Sequence, residues 1–227
     1  MIVDFSPTGP AASQTFVIDN SESKEQISLE FSIFKRSSDA NGKEERAPTT
    51  DFVFYPEQLT LKAGEKRNLR VTYQGTGDLS QEVAYRLVAE QLPVNTEKPS
   101  DTKKGQAQIR FLLQYVASLY VSIPKFQPKL EAESFQVAPR LEDGTRTLVI
   151  LMKNSGTAHQ VLTQFQLVLN NPEKKAEVQI PPEELTALQA ENLLAGTAKQ
   201  FEVKLSPKTS KLVVGGGWKL SMKLRDL

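Results

Sequence analysis

The sequence contains no cysteine and a single histidine, and both shortages restrict the chemistry that it can perform. Without cysteine, disulfides, thiolate metal sites and cysteine nucleophiles are all excluded. The one histidine, His159, follows a turn-like segment and has no second histidine or carboxylate cluster near it, which favours a structural or solvent-facing role. No Gly-x-Ser-x-Gly motif occurs, and Gly215-Gly216-Gly217 lacks the Lys-Ser/Thr of a phosphate loop, so it is predicted to be a strand-to-strand turn. We therefore expect no enzyme and no catalytic, cofactor-binding or metal-binding residues.

The sequence also lacks a large net charge and a long apolar run. The 28 Lys and Arg residues nearly balance the 27 Asp and Glu residues, so a general affinity for nucleic acid is not predicted. No apolar run reaches the roughly 18 to 20 residues of a membrane span, so membrane insertion is not predicted. No export signal precedes the strand-like residues 2–5, which leaves two interpretations: an exported protein whose signal was replaced by Met1, or a cytosolic protein.

Two landmarks recur along the chain at nearly the same spacing. Asn20 and Asn154 each follow an apolar run and precede a polar turn and a second apolar run, and they lie 134 residues apart. Gly64 and Gly196, each preceded by alanine and followed by alternating apolar residues, lie 132 residues apart. A shared offset of this kind predicts two tandem domains of one architecture, each of roughly 100 residues.

Short alternating apolar runs separated by turn residues predict an all-β protein built from two immunoglobulin-like β-sandwich domains. We expect an N-terminal domain over residues 1–121, a linker over 122–128 and a C-terminal domain over 129–227. Pro124 and Pro128 stiffen that linker, so the two domains are expected to be set at a defined angle. A helical turn is expected only within residues 182–194, and Tyr85 is placed inward on a strand as in a tyrosine corner.

The most informative segment, residues 109–121, is an apolar run with a single charge, Arg110. In an extended strand, the odd-numbered residues from Ile109 to Ala117 line one face, while Leu112, Val116 and Tyr120 lie on the other. Both faces need cover. The strand is therefore either a central core strand or an edge that pairs with a partner protein.

Four stretches, taken in order, resemble the PapD-like periplasmic pilus chaperones. These are residues 52–71 (FVFYPEQLTLKAGEKRNLRV) and 85–94 (YRLVAEQLPV), followed by the Asn154–His159 turn with Leu193–Gly196. The resemblance covers nearly the whole chain and implies a chaperone of the chaperone-usher pathway, located in the periplasm. Its implied partners are newly exported pilin subunits and an outer-membrane usher.

The same resemblance implies donor-strand complementation, in which a chaperone strand completes the incomplete sandwich of a pilin. The side chains that would enter the groove of the subunit are Ile109, Phe111, Leu113 and Tyr115. The alternative is that all four belong to the closed core of the first sandwich. A donor strand is also an unpaired edge, so self-association of the free protein through it is a further expectation.

The chain departs from the family pattern at the anchor for the terminal carboxylate of the subunit. The lysine that family members carry near the end of the donor strand is replaced by Ser118, and residues 1–5 contain no arginine. This indicates a divergent branch of an alternative or archaic type. Arg86 and Arg110 are the candidate replacements, because a guanidinium binds a carboxylate bidentately; the alternative is that each is an ordinary exposed strand residue.

Two other functional classes stay open on the sequence alone. The first is a two-domain immunoglobulin-like adhesion or scaffold protein, in which strand 109–121 is closed core. The second is a hydrolase on a sandwich scaffold, which would need a pocket with convergent polar groups.

Overall fold

The computed structural model describes residues 1–39, 41–93 and 112–224 of the chain. They form two compact units, one made of Met1–Arg36 with Arg46–Ile123 and the other of Ser37–Glu45 with Pro124–Leu227. Strands arranged in several sheets dominate both units, which confirms the predicted all-β class. The domain boundaries predicted at residues 121 and 129 stay a prediction.

The first nine strands form two sheets. Their bounds are β1 (Ile2–Phe5), β2 (Ser13–Asp19), β3 (Ile27–Ser38), β4 (Glu44–Pro48), β5 (Phe52–Tyr55), β6 (Gln58–Leu61), β7 (Lys66–Tyr73), β8 (Val83–Leu92) and β9 (Gln114–Val121). One sheet has the order β1-β9-β8-β3-β4, with β6 also paired to β3, and the other has the order β2-β7-β5. Strand β9 is antiparallel to β8 but parallel to β1.

Eight further strands and one helix follow. Their bounds are β10 (Leu130–Val137), β11 (Arg146–Asn154), β12 (Gln160–Val161), β13 (Phe165–Asn171), β14 (Ala176–Gln179), β15 (Asn192–Leu193), β16 (Ala198–Leu205), α1 (Pro207–Leu212) and β17 (Lys219–Leu224). The sheets have the orders β10-β11-β16 and β14-β13-β17, and β12 pairs with β15. Leu148, Ile150 and Met152 alternate along β11 and are fully buried, as the period of two predicts.

The recurring asparagine and glycine landmarks contact each other within each unit. The backbone N–H groups of Asn20 and Asn154 each donate to the carbonyl of the residue after the glycine, at 2.9 and 2.8 Å. The side-chain Nδ2 of Asn20 donates to the carbonyl of Lys62, two residues before Gly64, at 2.9 Å. The Nδ2 of Asn154 donates to the carbonyl of Leu193, three residues before Gly196, at 3.1 Å. Gly64 and Gly196 both have positive φ angles, 80° and 71°, which glycine adopts without strain. The spacing in the sequence therefore reflects the same hydrogen-bonded corner in both units.

Helical structure differs from the prediction. A 3₁₀ turn at Pro182–Glu184 lies within the predicted segment, but α1 and a second 3₁₀ turn at Pro10–Ala12 were not predicted. Ser206 caps α1 by accepting a hydrogen bond from the N–H of Thr209 at 3.3 Å, with Pro207 in the first turn. Residues 215–217 connect α1 to β17, so the prediction that they form a strand-to-strand turn is wrong.

Candidate functional site

Strand β9 is buried along its second half and exposed along its first half. Residues 117–121 are all buried, whereas the side chains of Leu113 and Tyr115 are 51% and 56% exposed. The strand begins at Gln114, so it is shorter at its start than the predicted run over 109–121. Ile109, Arg110 and Phe111 lie outside the described residues. The described first half has the exposure of an edge and not of a closed core strand.

Hydrogen bonds along β9 show which backbone groups face which neighbour. The carbonyl of Leu113 accepts a hydrogen bond from the N–H of Gln91, at the end of β8, at 2.9 Å. Bonding directions alternate along an antiparallel strand, so the backbone groups of Gln114 and Val116 point away from β8. On that side β1 pairs with β9 only from Ser118 onward. Among the described strands none pairs with Gln114 or Val116 there, which leaves a short open edge.

An aromatic cluster supports the sandwich next to the buried half of β9. Phe52 makes edge-to-face contacts with Phe5, Tyr73 and Tyr85 at centroid distances of 5.2, 5.2 and 4.9 Å. Tyr85 is buried on its strand, as predicted, and its hydroxyl donates to Asp51 Oδ2 at 2.8 Å. Burial, followed by this hydrogen bond, raises the pKa of Tyr85 above its usual value.

Arg86 lies beside the position where the resemblance implies a lysine. It stands opposite Ser118 in the β8–β9 register, and its Nη1 donates to Ser118 Oγ. Alternation places both residues on the face of the sheet opposite to Tyr115. Tyr120 follows Ser118 by two residues on β9 and lies on the same face, where its hydroxyl accepts a hydrogen bond from Arg36 Nη1 at 3.3 Å. The structure thus brings Arg86 to Ser118, and adds Arg36, which sequence reasoning missed.

Sequence reasoning also did not predict that the other face of this edge, which carries Leu112 and Val116, is exposed. Leu112 is as exposed as Leu113, and Val116 is partly exposed, although the period-two pattern had only indicated that both faces need cover. The signal was present in the sequence, because residues 111–113 and 115–117 are apolar at consecutive positions. A strand with one solvated face would alternate instead. Consecutive apolar residues beside an open edge are typical of a surface that a partner covers.

Within 1–39, 41–93 and 112–224, no group of three or more His, Asp or Glu side chains lies close enough together to hold a metal ion. His159 is partly buried and immediately precedes β12. In the part of the chain that the structure covers, none of the helices has the length and apolar character needed to cross a bilayer.

Comparisons with known proteins agree with a chaperone fold. The family profile for the PapD N-terminal domain of the pili and flagellar-assembly chaperones matches residues 7–121. Among solved structures, the CsuC-CsuE chaperone-tip adhesion subunit pre-assembly complex from the archaic chaperone-usher Csu pili of Acinetobacter baumannii matches with a TM-score of 0.59 and 17% identity. This alignment covers 90% of this chain and 84% of that chain.

Two further structures match in the same way. The class 5 fimbriae chaperone CfaA gives a TM-score of 0.56 at 14% identity, covering 100% of this chain and 89% of that one. A complex of the SafA pilin with the SafB chaperone from Salmonella enterica gives 0.50 at 11% identity, covering 88% and 80%. A search of the curated proteins finds no match. At these identities, the similarity to solved structures shows the fold.

Proposed function

The chain belongs to the PapD family of pili and flagellar-assembly chaperones, and we therefore propose that it binds pilus subunits in the periplasm by donor-strand complementation and delivers them to an outer-membrane usher. Chaperones of the PapD type are periplasmic, which supports that location. Two of the similar structures are complexes of a chaperone with a tip adhesion subunit or a pilin, which supports a pilus subunit as the partner. We propose no enzymatic activity.

The observation that carries this proposal is the open edge of β9. The backbone groups of Gln114 and Val116 point to a side where the described strands offer them no pairing. A subunit strand laid along this side would complete the ladder, as in β-strand addition. Leu113 and Tyr115 project from the same stretch and are about half exposed, so they are available to fill the groove of a subunit. Ile109 and Phe111 belong to the proposed donor set on the grounds of the sequence.

The exposed apolar surface is large enough to matter for binding. Full burial of an apolar side chain is worth about 1.5 to 3 kcal/mol. Because Leu113 and Tyr115 have about half of their surface left to bury, the two together supply roughly 1.5 to 3 kcal/mol before ordering costs. Any contribution from Ile109 and Phe111 adds to this figure.

We further propose that Arg86 binds the terminal carboxylate of the subunit. Arg86 is bonded to Ser118, the residue at which β1 takes over the edge of β9. A subunit strand that lies along Gln114 and Val116 and runs parallel to β9 would end near this point. The partly buried guanidinium could then pair with its carboxylate through charge-assisted hydrogen bonds. Arg110 is the second candidate for this contact on the grounds of the sequence.

The test replaces Leu113 and Tyr115 together with glutamate and measures capture of a co-expressed pilin subunit by co-purification and gel filtration. We expect the variant to stay folded, because both side chains are half exposed, and to lose the subunit, because two carboxylates would have to enter an apolar groove. The matched control is Val53→Glu with Tyr55→Glu, two exposed apolar residues on β5 in the other sheet.

The outcomes of this test distinguish a chaperone from an adhesion or scaffold protein. Full capture by a folded Leu113→Glu/Tyr115→Glu variant contradicts donor-strand complementation through this edge. Unfolding of that variant, with the control folded, would instead indicate a closed core strand and favour the adhesion or scaffold alternative. Circular dichroism and thermal unfolding of both double variants decide which case applies.

A further inference from the structure

An apolar groove opens between the two sheets of the first unit, beside the exposed half of β9. Its floor is formed by Phe16, Phe31, Leu87 and Ala117, all buried, and its volume is about 760 Å³. A cavity of about 150 Å³ already holds a benzene molecule, so this space has room for more than one side chain. We call it the edge groove, because Tyr115 and the exposed residues at the start of β9 form its rim.

Strand β1 shows how a strand at this position uses the groove. Val3 and Phe5 are the inward-facing residues of β1: Val3 lines the edge groove and Phe5 is buried between the sheets. The backbone groups of Gln114 and Val116 direct a partner strand to the next stretch of the same β9 edge, in line with β1. Alternation then turns every second side chain of that partner strand inward, as it does for Val3. Those side chains would face the edge groove.

We propose that the edge groove receives an apolar side chain, of leucine or phenylalanine size, from the pilin strand that pairs with β9. The inference rests on the proposed function and makes the exchange reciprocal: the chaperone donates Leu113 and Tyr115 and accepts a side chain of the subunit in return. The apolar floor selects against a charged residue at that subunit position, because a buried unpaired charge is strongly unfavourable.

The test fills the groove without changing the backbone edge. Ala89 on β8 lines the edge groove and lies opposite Tyr115, so Ala89→Phe occupies part of the space. The matched control is Ala47→Phe on β4, an exposed position at the other edge of the same sheet. Differently tagged wild-type and variant proteins compete for a limiting amount of one pilin subunit. We expect Ala89→Phe to lose at least tenfold, about 1.4 kcal/mol, and Ala47→Phe to compete equally. Equal competition by folded Ala89→Phe overturns the inference.

A second measurement covers the case in which Ala89→Phe does not fold. Because the chain has no cysteine, Ala89→Cys carries a unique thiol in the groove. Cysteines are placed one at a time along the pairing strand of the subunit, and disulfide formation is measured in the complex. We expect crosslinks at alternate positions of one short stretch. Crosslinks at consecutive positions, or none in a complex that still forms, contradict the inference.

The outcomes also separate this inference from the proposed function. If Ala89→Phe competes normally while Leu113→Glu/Tyr115→Glu fails to capture the subunit, only the reciprocal contact is wrong. If both variants capture normally, donor-strand complementation through β9 is wrong as well. If Ala89→Phe only dissociates a self-associated form of the free protein, with subunit binding unchanged, a second copy of the chain occupies the groove and the inference is overturned.

Discussion

Replacing Asn154 with alanine should destabilise the second unit more than replacing Asn20 with alanine destabilises the first. Asn154 is fully buried, and its side chain makes four hydrogen bonds to the backbone. Its Oδ1 accepts from the N–H groups of Lys129 and Gly156, both at 3.1 Å, and its Nδ2 donates to the carbonyls of Ala158 and Leu193 at 2.8 and 3.1 Å.

Asn20, at the equivalent corner, makes two such bonds through Nδ2, to the carbonyls of Glu25 and Lys62, both at 2.9 Å. A buried hydrogen bond contributes about 1 kcal/mol net to the free energy of unfolding. We therefore expect Asn154→Ala to cost about 4 kcal/mol and Asn20→Ala about 2 kcal/mol. A loss of about 4 kcal/mol is a large part of the 5 to 15 kcal/mol typical of a domain.

Urea unfolding gives separate readouts for the two units. Trp218 is the single tryptophan of the chain and packs against the core of the second unit, so its fluorescence follows that unit. Asn154→Ala should lower the unfolding free energy seen by fluorescence, whereas Asn20→Ala should leave that signal unchanged and shift only the remaining transition in circular dichroism. Equal losses, or a loss below 1 kcal/mol for Asn154→Ala, would refute the reasoning from bond counts.

Two further predictions concern the sheet that carries β9. Arg86→Ala should weaken capture of a native pilin subunit about 10- to 100-fold, because hydrogen bonds to charged groups are worth about 1.5 to 3 kcal/mol. As a control, a subunit extended at its C terminus should bind wild type and variant equally. Equal capture of the native subunit by both proteins would exclude the carboxylate contact. Burial raises the pKa of Tyr85 in the folded protein. Keeping this tyrosine neutral therefore contributes its full share to the free energy of unfolding below about pH 10, the pKa of an unfolded tyrosine. This contribution is lost as pH rises from there towards the folded pKa, by up to about 1.4 kcal/mol per pH unit. Unfolding of wild type and Tyr85→Phe at pH 8 and 11 should show a smaller alkaline loss in the variant, and identical losses would contradict this.

Much of the fold could be predicted because its signals are local. Alternation of apolar residues along β11 follows from period-two burial, which any antiparallel sandwich imposes. The cap of α1 was overlooked although Ser206-Pro207 is a local signal for a helix start. The inward placement of Tyr85 was predicted, but its hydrogen-bond partner was not, because Asp51, which accepts the bond from its hydroxyl, is 34 residues away in the chain.

The amino-acid order alone predicted the β class, the recurring landmarks at Asn20 and Asn154, and an apolar run at 109–121 too long to stay uncovered. These properties depend on spacing along one chain segment. The exposed half of β9, the bond between Arg86 and Ser118, and the edge groove depend on where β1 and β8 stop pairing with β9. Register between strands far apart in the chain is set by packing across both sheets, so these three features emerged only once the strands were assembled.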